Sequence, residues 1–579
     1  MQINGSKAAH RADVIVLGSG LAGGTMAAVL GRNGADVAVI DAGSHPRFAI
    51  GESTIPYTSM LMRLVSERYQ VPEIKWLATF EAVQSKISTN CGVKRNFGFL
   101  YHRQGRRHDI TERNELPIPK ITNTENHFFR QDVDAWMMNV ALKYGARLVP
   151  NTRVSSFEFE DDGVTVLTEN GDRWRAKFVV DASGFRSPLA AQLGLRETPS
   201  RLRHHSRSLF THMVDVTPYD ELVRPRGGHG NHQPWNEGTL HHLFEGGWLW
   251  VIPFNNHARA TNALVSVGLS LDPRIHPKRE GVTPEEEFRD FIADYPDIQK
   301  QFVDARSVRE WVSTDRLQYS SKQTVGHRWC LTSHAAGFID ALFSRGLSNT
   351  FEIVNALGWR ILDALRDDDF SVERFEFVQT LEQGLLDFND DLVANAYTSF
   401  QDYDLWNAWF RVWSISQRLA IFEINRAYAR YKGDNDVAGV RRLERLAVNG
   451  VCPDYAPARA MFAQANQELR AVADGTRTPA DAAAAVMRLL QTADFIPPAL
   501  GLGDPDNRCV HVSGPKVVEM LRWARRDAPP EIGELAIEGL TLFLKKRLSL
   551  KEFALAEELK HAIAAMPVIG KPLRVPTPR

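Results

Sequence analysis

Near the N-terminus the apolar positions fall into two short unbroken runs, separated by a glycine-rich segment and a helical pattern. Val14-Ile-Val-Leu17 has no polar break, the signature of a strand buried on both faces. Gly18-Ser-Gly20-Leu-Ala-Gly23 follows at once and predicts a sharp turn into a helix. The run from Asp36 to Ile40 predicts the next strand and closes on Asp41. Further along, helical spacing covers Ser59–Tyr69, Arg130–Tyr144 with Gly145 as its stop, and Leu347–Leu365. Phe80 to His102 reads as strand, with Val93, Phe97, Phe99 and Tyr101 alternating after Gly92. Thr111 to Asn126 is polar and proline-bearing and predicts loop. Phe178-Val-Val-Asp181 is another buried strand, leading into Ala-Ser-Gly184.

From about Ser206 to Ser321 alternation and turns dominate, which predicts an antiparallel sheet suited to a substrate pocket. Beyond Arg366 the texture is helical. Trp406, Trp409, Phe410 and Trp413 fall at helix spacing, and Ala480–Leu490 is rich in alanine. Gly433–Gly439 and Asp474–Pro479 read as connections, and the basic, proline-rich tail from Gly570 is expected to fray. The fold class is therefore α/β (α+β): a Rossmann-like dinucleotide fold with an inserted substrate sheet and a helical C-terminal region. The expected division is a core over 1–369, its sheet drawn from about 86–125 and 201–321, and a helical region over 370–579.

Composition narrows the class. At 579 residues the chain exceeds one ordinary domain, and 69 Lys plus Arg against 70 Asp plus Glu leave a net charge of −1. That balance gives no attraction to nucleic acid or membrane surfaces. Cys91, Cys330, Cys452 and Cys509 are scattered without metal-ligand spacing, which suits reduced thiols in a cytoplasm. The polar residues before Asp13 predict no signal peptide, and no apolar stretch is long enough for a bilayer. The expected protein is a soluble cytoplasmic enzyme.

The candidate chemistry begins at Gly18, Gly20 and Gly23. They supply a tight turn, close backbone approach to a pyrophosphate, and close packing of helix on strand. Asp41 stands where a carboxylate reaches a ribose 2′-OH, roughly 20 residues on. A single such unit, the Asp181 strand end and a returning glycine turn before Leu347 describe a one-dinucleotide FAD enzyme. The histidine pairs His204-His205 and His241-His242 invite a metal reading. Neighbours in a strand point to opposite faces, however, so no metal site is expected.

Gly51-Glu-Ser-Thr-Ile-Pro56, Trp248-Leu-Trp250-Val-Ile252-Pro253 and Gly337-Phe-Ile-Asp340-Ala-Leu-Phe-Ser-Arg-Gly346 together resemble the flavin-dependent halogenases. The likeness runs from about Asp13 to Asp369 and more loosely through the helices. Within the family, Lys94-Arg-Asn-Phe-Gly-Phe99 and Trp250-Val-Ile-Pro-Phe-Asn-Asn-His257 most resemble a member that chlorinates a pyrrole ring. The resemblance implies FADH2 delivered by a separate NADH-dependent reductase and a flavin hydroperoxide attacked by chloride. The resulting hypochlorous acid passes to a lysine, which presents it to an electron-rich aromatic small molecule.

It also implies roles for residues. Lys94 is the candidate catalytic lysine, although Cys91 and Asn96 stand where relatives usually have Phe and Gly. Lys86 is the runner-up and Lys75 a remote third. Trp248, Trp250, Ile252 and Pro253 would separate flavin from substrate, and the backbone of Arg345 and Gly346 would hold chloride. Glu52, Ser53, Arg130, Asp340 and Gly346 would approach the flavin. Phe343 replaces the glutamate of tryptophan halogenases, which favours a phenol or pyrrole, and Ser333-His334 replaces the Gly-Asp of many flavoproteins. The rival reading is an FAD aromatic hydroxylase. A homodimer is compatible with the sequence.

Overall fold

The computed structural model describes residues 10–118, 125–223, 233–447 and 455–549. A parallel sheet is built outward from the two N-terminal runs. Val14–Leu17 lies between Val37–Ile40 and Phe178–Asp181, with Val14 opposite both Val37 and Phe178. Trp329–Leu331 and Arg147–Val149 extend it in parallel on either side, and Val325–Gly326 adds an antiparallel edge. All four side chains of Val14–Leu17 are buried, each stabilising the fold by roughly 1.5–3 kcal/mol. The helix Leu21–Arg32 leaves the strand at once and packs on Arg130–Lys143 and Gly346–Asp367. A four-stranded sheet of His10–Arg11, Arg173–Ala176, Gly163–Thr168 and Val154–Glu160 stands beside it.

The middle sheet is mixed, not antiparallel throughout. Arg207–Val214, Val265–Leu271, Gly247–Pro253 and Gly238–Phe244 alternate in direction as expected. Asn96–Tyr101 then joins Gly238–Phe244 in parallel, with Asn96 opposite Gly238. Local alternation carries no record of strand direction. A parallel neighbour needs only a long crossover, which the intervening chain supplies.

Phe80–Lys86 corrects the strand expected there. Thr79 caps a helix by accepting from the amide of Ala82 at 3.3 Å, and the period-two alternation begins only after Gly92. Two short strands, Arg113–Glu115 and Glu125–His127, cut into the stretch Thr111–Asn126 expected to be loop. The first extends the large sheet, and the second pairs with Gly92–Lys94.

The later helices include Val372–Ser399 and Tyr403–Asp434. They share apolar cores with the earlier chain: Val378, Leu381 and Ile424 pack with Val14 and Met26, and Trp406, Trp409 and Trp413 with Phe97 and Trp248. Gly433–Gly439 and Asp474–Pro479 span helix ends and connections. The tail from Gly570 lies outside the described residues. Among the described residues no helix is long and apolar enough to cross a membrane.

Candidate active site

The glycine turn has the shape its residues predict. Gly18 sits at φ +89°, and a Cβ there would come within 2.8 Å of the Ala182 carbonyl. A Cβ at Gly23 would overlap the Gly18 carbonyl, so no larger residue fits between helix and strand. A Cβ at Gly20 would stand 3.7 Å from an Asp134 carboxylate oxygen, an ordinary contact distance. No side chain of the N-cap Gly20 caps the first-turn amides of Leu21–Arg32, which suits a pyrophosphate. Asp41 lies beside this turn. Its carboxylate accepts from the Ser19 amide at 2.5 Å, the Ser19 hydroxyl at 2.7 Å and Arg47 Nη1 at 2.5 Å. Burial pushes this acid up, but Arg47, Ser19 and Gly43 outweigh it and bring the pKa to about 2. These residues fit the adenosine end of FAD.

Arg130 is held at the start of its helix by Asp134, at 2.7 and 2.8 Å, and donates to the carbonyls of Ile50 and Gly51. It thereby fixes the loop that carries Glu52 and Ser53. Glu52 is buried and lies 2.8 Å from His212 Nε2, a partner on the large sheet that sequence reasoning did not single out. Ser53 faces the other way, toward Lys94.

Lys94 has no solvent exposure. Its Nζ donates to Ser53 Oγ at 2.7 Å and to the Thr54 carbonyl at 2.9 Å, and sits 3.9 Å from the centre of the Phe97 ring. Burial pulls the Lys94 pKa well below the ordinary lysine value, and Glu125 only partly offsets this. Glu125, raised in turn by burial, accepts from Thr54 Oγ1 at 2.9 Å and Ser59 Oγ at 2.6 Å. The other candidate lysines lie elsewhere: Lys86 is exposed at the end of the corrected helix, and Lys75 pairs with Glu67 at 3.4 Å.

Beyond Phe97 an aromatic wall begins. Phe97 lies 5.5 Å from Trp413 and 4.8 Å from His241; Trp413 lies 4.7 Å from Phe343. His241 lies 5.3 Å from Trp248, and Trp248 lies 5.4 Å from Trp250. Trp250 fits only because Gly268 faces it across the sheet, where any Cβ would collide with the indole. Ile252 and Pro253 finish the same buried strand.

The returning loop closes the region. Arg345 is the N-cap of Gly346–Asp367, and its buried Nε has no hydrogen-bond partner. Burial lowers its pKa, against the influence of Tyr57 and Glu352. The side chain lies over Phe388 at 5.1 Å. His334 Nε2, equally unpartnered, faces Gly346. These unpartnered nitrogens border a cavity lined by Gly337, Phe343, Asn349 and Asn389. Asp340 lines the same cavity, with its carboxylate held by neighbouring side chains and backbone. One carboxylate oxygen lies 3.2 Å from His204 Nε2 and Ser206 Oγ and 3.4 Å from the Tyr397 hydroxyl; the other accepts from the Leu342 amide at 2.8 Å.

The pair His241-His242 splits as strand alternation requires, whereas His204-His205 precedes its strand, with His204 buried and His205 half-buried. His241 faces the aromatic wall, while His242 faces His102 at 2.9 Å and Gln301 at 2.9 Å. Among the described residues no His, Cys, Asp or Glu cluster is arranged to hold a metal ion.

Comparison with known proteins agrees with this geometry. The FAD binding domain family matches residues 11–266. Tetracycline 7-halogenase of Kitasatospora aureofaciens is 49% identical over 525 residues, covering 90% of this chain and 94% of the relative. Monodechloroaminopyrrolnitrin halogenase PrnC of Pseudomonas fluorescens is 43% identical over 533 residues, covering 90% and 93%. The crystal structure of halogenase PltM with phloroglucinol and FAD superposes with a TM-score of 0.82 at 35% identity, over 86% of this chain and 100% of that one. The cofactor is FAD, and the chain belongs to the flavin-dependent halogenases.

Proposed function

We propose that the protein chlorinates an electron-rich aromatic ring of phenol or pyrrole type in natural-product biosynthesis, with Lys94 presenting the electrophile. The observation that carries this reading is Lys94 itself. It is a fully buried amine held by two acceptors, with its third position facing an aromatic ring. Bound FAD, reduced by a separate NADH-dependent reductase, supplies the oxidation of chloride by dioxygen. The chain's residues do the rest. Gly18, Gly20, Gly23 and Asp41 seat the dinucleotide, and Arg130 orders the Gly51–Pro56 loop against it.

The amides of Arg345 and Gly346, at the positive end of a long helix, suit a small anion such as chloride. The unpartnered Arg345 Nε and His334 Nε2 support that assignment. Trp248 and Trp250 fill the space a ring would otherwise use to reach the flavin, which suppresses direct hydroxylation. Lys94, its charge disfavoured by burial, is suited to act as a neutral amine: it takes chlorine from hypochlorous acid, releases water, and passes the chlorine to the ring. Phe343 in place of an acid, the phloroglucinol bound by PltM and the names of both relatives support a phenol or pyrrole.

The test is turnover with FAD, a flavin reductase, NADH, chloride and a panel of phenols and pyrroles, read by mass spectrometry. Chlorine in the product is expected. Oxygen incorporation without chlorine would instead establish an aromatic hydroxylase.

A further inference from the structure

Between the returning loop, the helix Gly346–Asp367 and the helix Val372–Ser399 lies a cavity whose contents are set by the Arg345 side chain. That side chain is buried, its Nε makes no hydrogen bond, and it lies over the Phe388 ring at 5.1 Å. Among the described residues no acid pairs with it, and only Tyr57 and Glu352 act on its charge from further off. A buried charge without a partner is costly, so a guanidinium kept in this state calls for an anion.

The facing groups leave the balance positive. Glu352 accepts from the Tyr57 hydroxyl, and burial raises it to about 7. Glu382 accepts from the Ser333 amide at 3.1 Å on one oxygen. Burial raises this acid well above the ordinary carboxylate range, so its second, unpartnered oxygen holds a proton to donate. Asp340, the other acid on the lining, spends its oxygens on His204, Ser206, Tyr397 and the Leu342 amide. Asn349 and Asn389 each have an amide oxygen without a partner, and a half-turn of either amide presents its NH2 instead. His334 is held neutral by burial, at about 4.

Building on the halide assignment at the backbone amides of Arg345 and Gly346, we infer that this cavity is a second halide site, in which the Arg345 guanidinium, backed by Asn349, Asn389 and Glu382, holds chloride or bromide. The two sites use different atoms: the amides belong to the start of Gly346–Asp367, whereas the guanidinium reaches Phe388 on the neighbouring helix. The cavity offers about 40 Å³ to the centres of water-sized particles, and one water takes roughly 10–15 Å³ of that measure. A halide with a water or two fits, and a larger organic anion does not. No bond is made or broken there. The site is a store from which the amide site refills after each turnover.

The test has three readouts on the full-length enzyme. Crystals soaked in bromide should show one anomalous peak at the amides and a second within hydrogen-bond distance of the Arg345 guanidinium and Asn389. The Tm of the FAD-free protein should rise as chloride replaces gluconate at constant ionic strength, and rise less in Arg345→Met, which keeps the amides. These two need no turnover, so they stand apart from whether the product carries chlorine. The chloride concentration at half-maximal chlorination should climb roughly tenfold or more in Arg345→Met and roughly threefold in Asn389→Leu. Arg345→Lys keeps the charge and should recover much of the loss.

A bromide peak at the amides alone, with water in the cavity, overturns the second site and leaves the amide assignment standing. A peak in the cavity alone supports the second site and removes the amide assignment. No peak at either position overturns both. A cavity peak whose loss in Arg345→Met changes neither the Tm response nor the half-saturating chloride means binding at crystal concentration only, and that too overturns the inference. A purely structural Arg345 would lower Tm and the maximal rate without moving the chloride dependence, and Asn389→Leu would then leave that dependence at the parental value.

Discussion

Two pairings of a carboxylate with a basic side chain sit in this protein's working region, one an ion pair and the other a more distant coupling of charges, and they behave in opposite ways. Asp41 and Arg47 meet at the glycine turn, where Arg47 reaches solvent and Asp41 also collects hydrogen bonds from Ser19 and Gly43. The acid is driven down to about 2 and stays charged. Lys94 and Glu125 stand opposite each other on paired strands and feel each other's charge, with no solvent at either group. There burial pushes both toward neutrality, the lysine down and the acid up. A charged pair can organise a binding loop. Only the dry pair leaves an amine with a lone pair, and what separates them is water and hydrogen-bond supply rather than residue type.

The comparison breaks hardest at Lys94. Lys94→Met keeps most of the length and removes the amine, so chlorinated product should fall on the order of 10²-fold or more while FAD still binds and flavin reoxidation continues. Product near the parental level, measured by mass spectrometry, would mean that the dry pair is structural.

Asp41→Asn probes the wet pair. Losing a charged hydrogen-bond acceptor costs about 1.5–3 kcal/mol, so FAD affinity by fluorescence titration should fall roughly tenfold or more. The same variant sharpens the pH contrast. A depressed acid contributes stability that is complete above its unfolded value of 3.8 and fades as pH falls through about 2. Acid unfolding curves should therefore be flatter between those limits in Asp41→Asn than in the parent. Identical curves would mean that Asp41 is not held low.

Trp250→Ala opens the aromatic wall beyond the second pair. Chlorinated product per flavin oxidised should drop a few-fold, roughly three- to tenfold, while flavin oxidation is unchanged. Unaltered coupling would remove the separating role. The smallest effect belongs to Lys86→Met, at the exposed end of a helix, where less than about 0.5 kcal/mol of stability and no loss of product is expected. A dead Lys86→Met would relocate the lysine.

Of the wet pair, Asp41 is legible in the sequence and Arg47 is not. Gly18, Gly20, Gly23 and Asp41 lie within one strand-turn-helix-strand unit, and their spacing is itself the signal. Lys94 was legible only through resemblance, since nothing around it in sequence marks a buried amine. The cavity around Arg345 left no mark. Its walls come from a loop and two helices, and contacts between separate elements have no periodicity. Phe80–Lys86 was misread because alternation further on was extended back over a capped helix. The direction of Asn96–Tyr101 was invisible for the reason that a strand's alternation is the same either way. Asp340 fell in a recognisable loop, but its partners His204, Ser206 and Tyr397 come from elements that no local pattern connects.

The parallel seam between Asn96–Tyr101 and Gly238–Phe244 also imposes a timetable. Asn96–Tyr101 is made early, yet its neighbour emerges from the ribosome long afterwards, and Tyr101 must wait still longer for the Phe400 carbonyl it bonds at 2.8 Å. Until then the apolar residues Phe97 and Phe99 have nothing to lie against. Pairings so distant in sequence form slowly and leave nascent chains exposed to aggregation. Shortened chains ending before Gly238 therefore leave Asn96–Tyr101 without its parallel partner, and recombinant yield should rise with slowed synthesis or added chaperone.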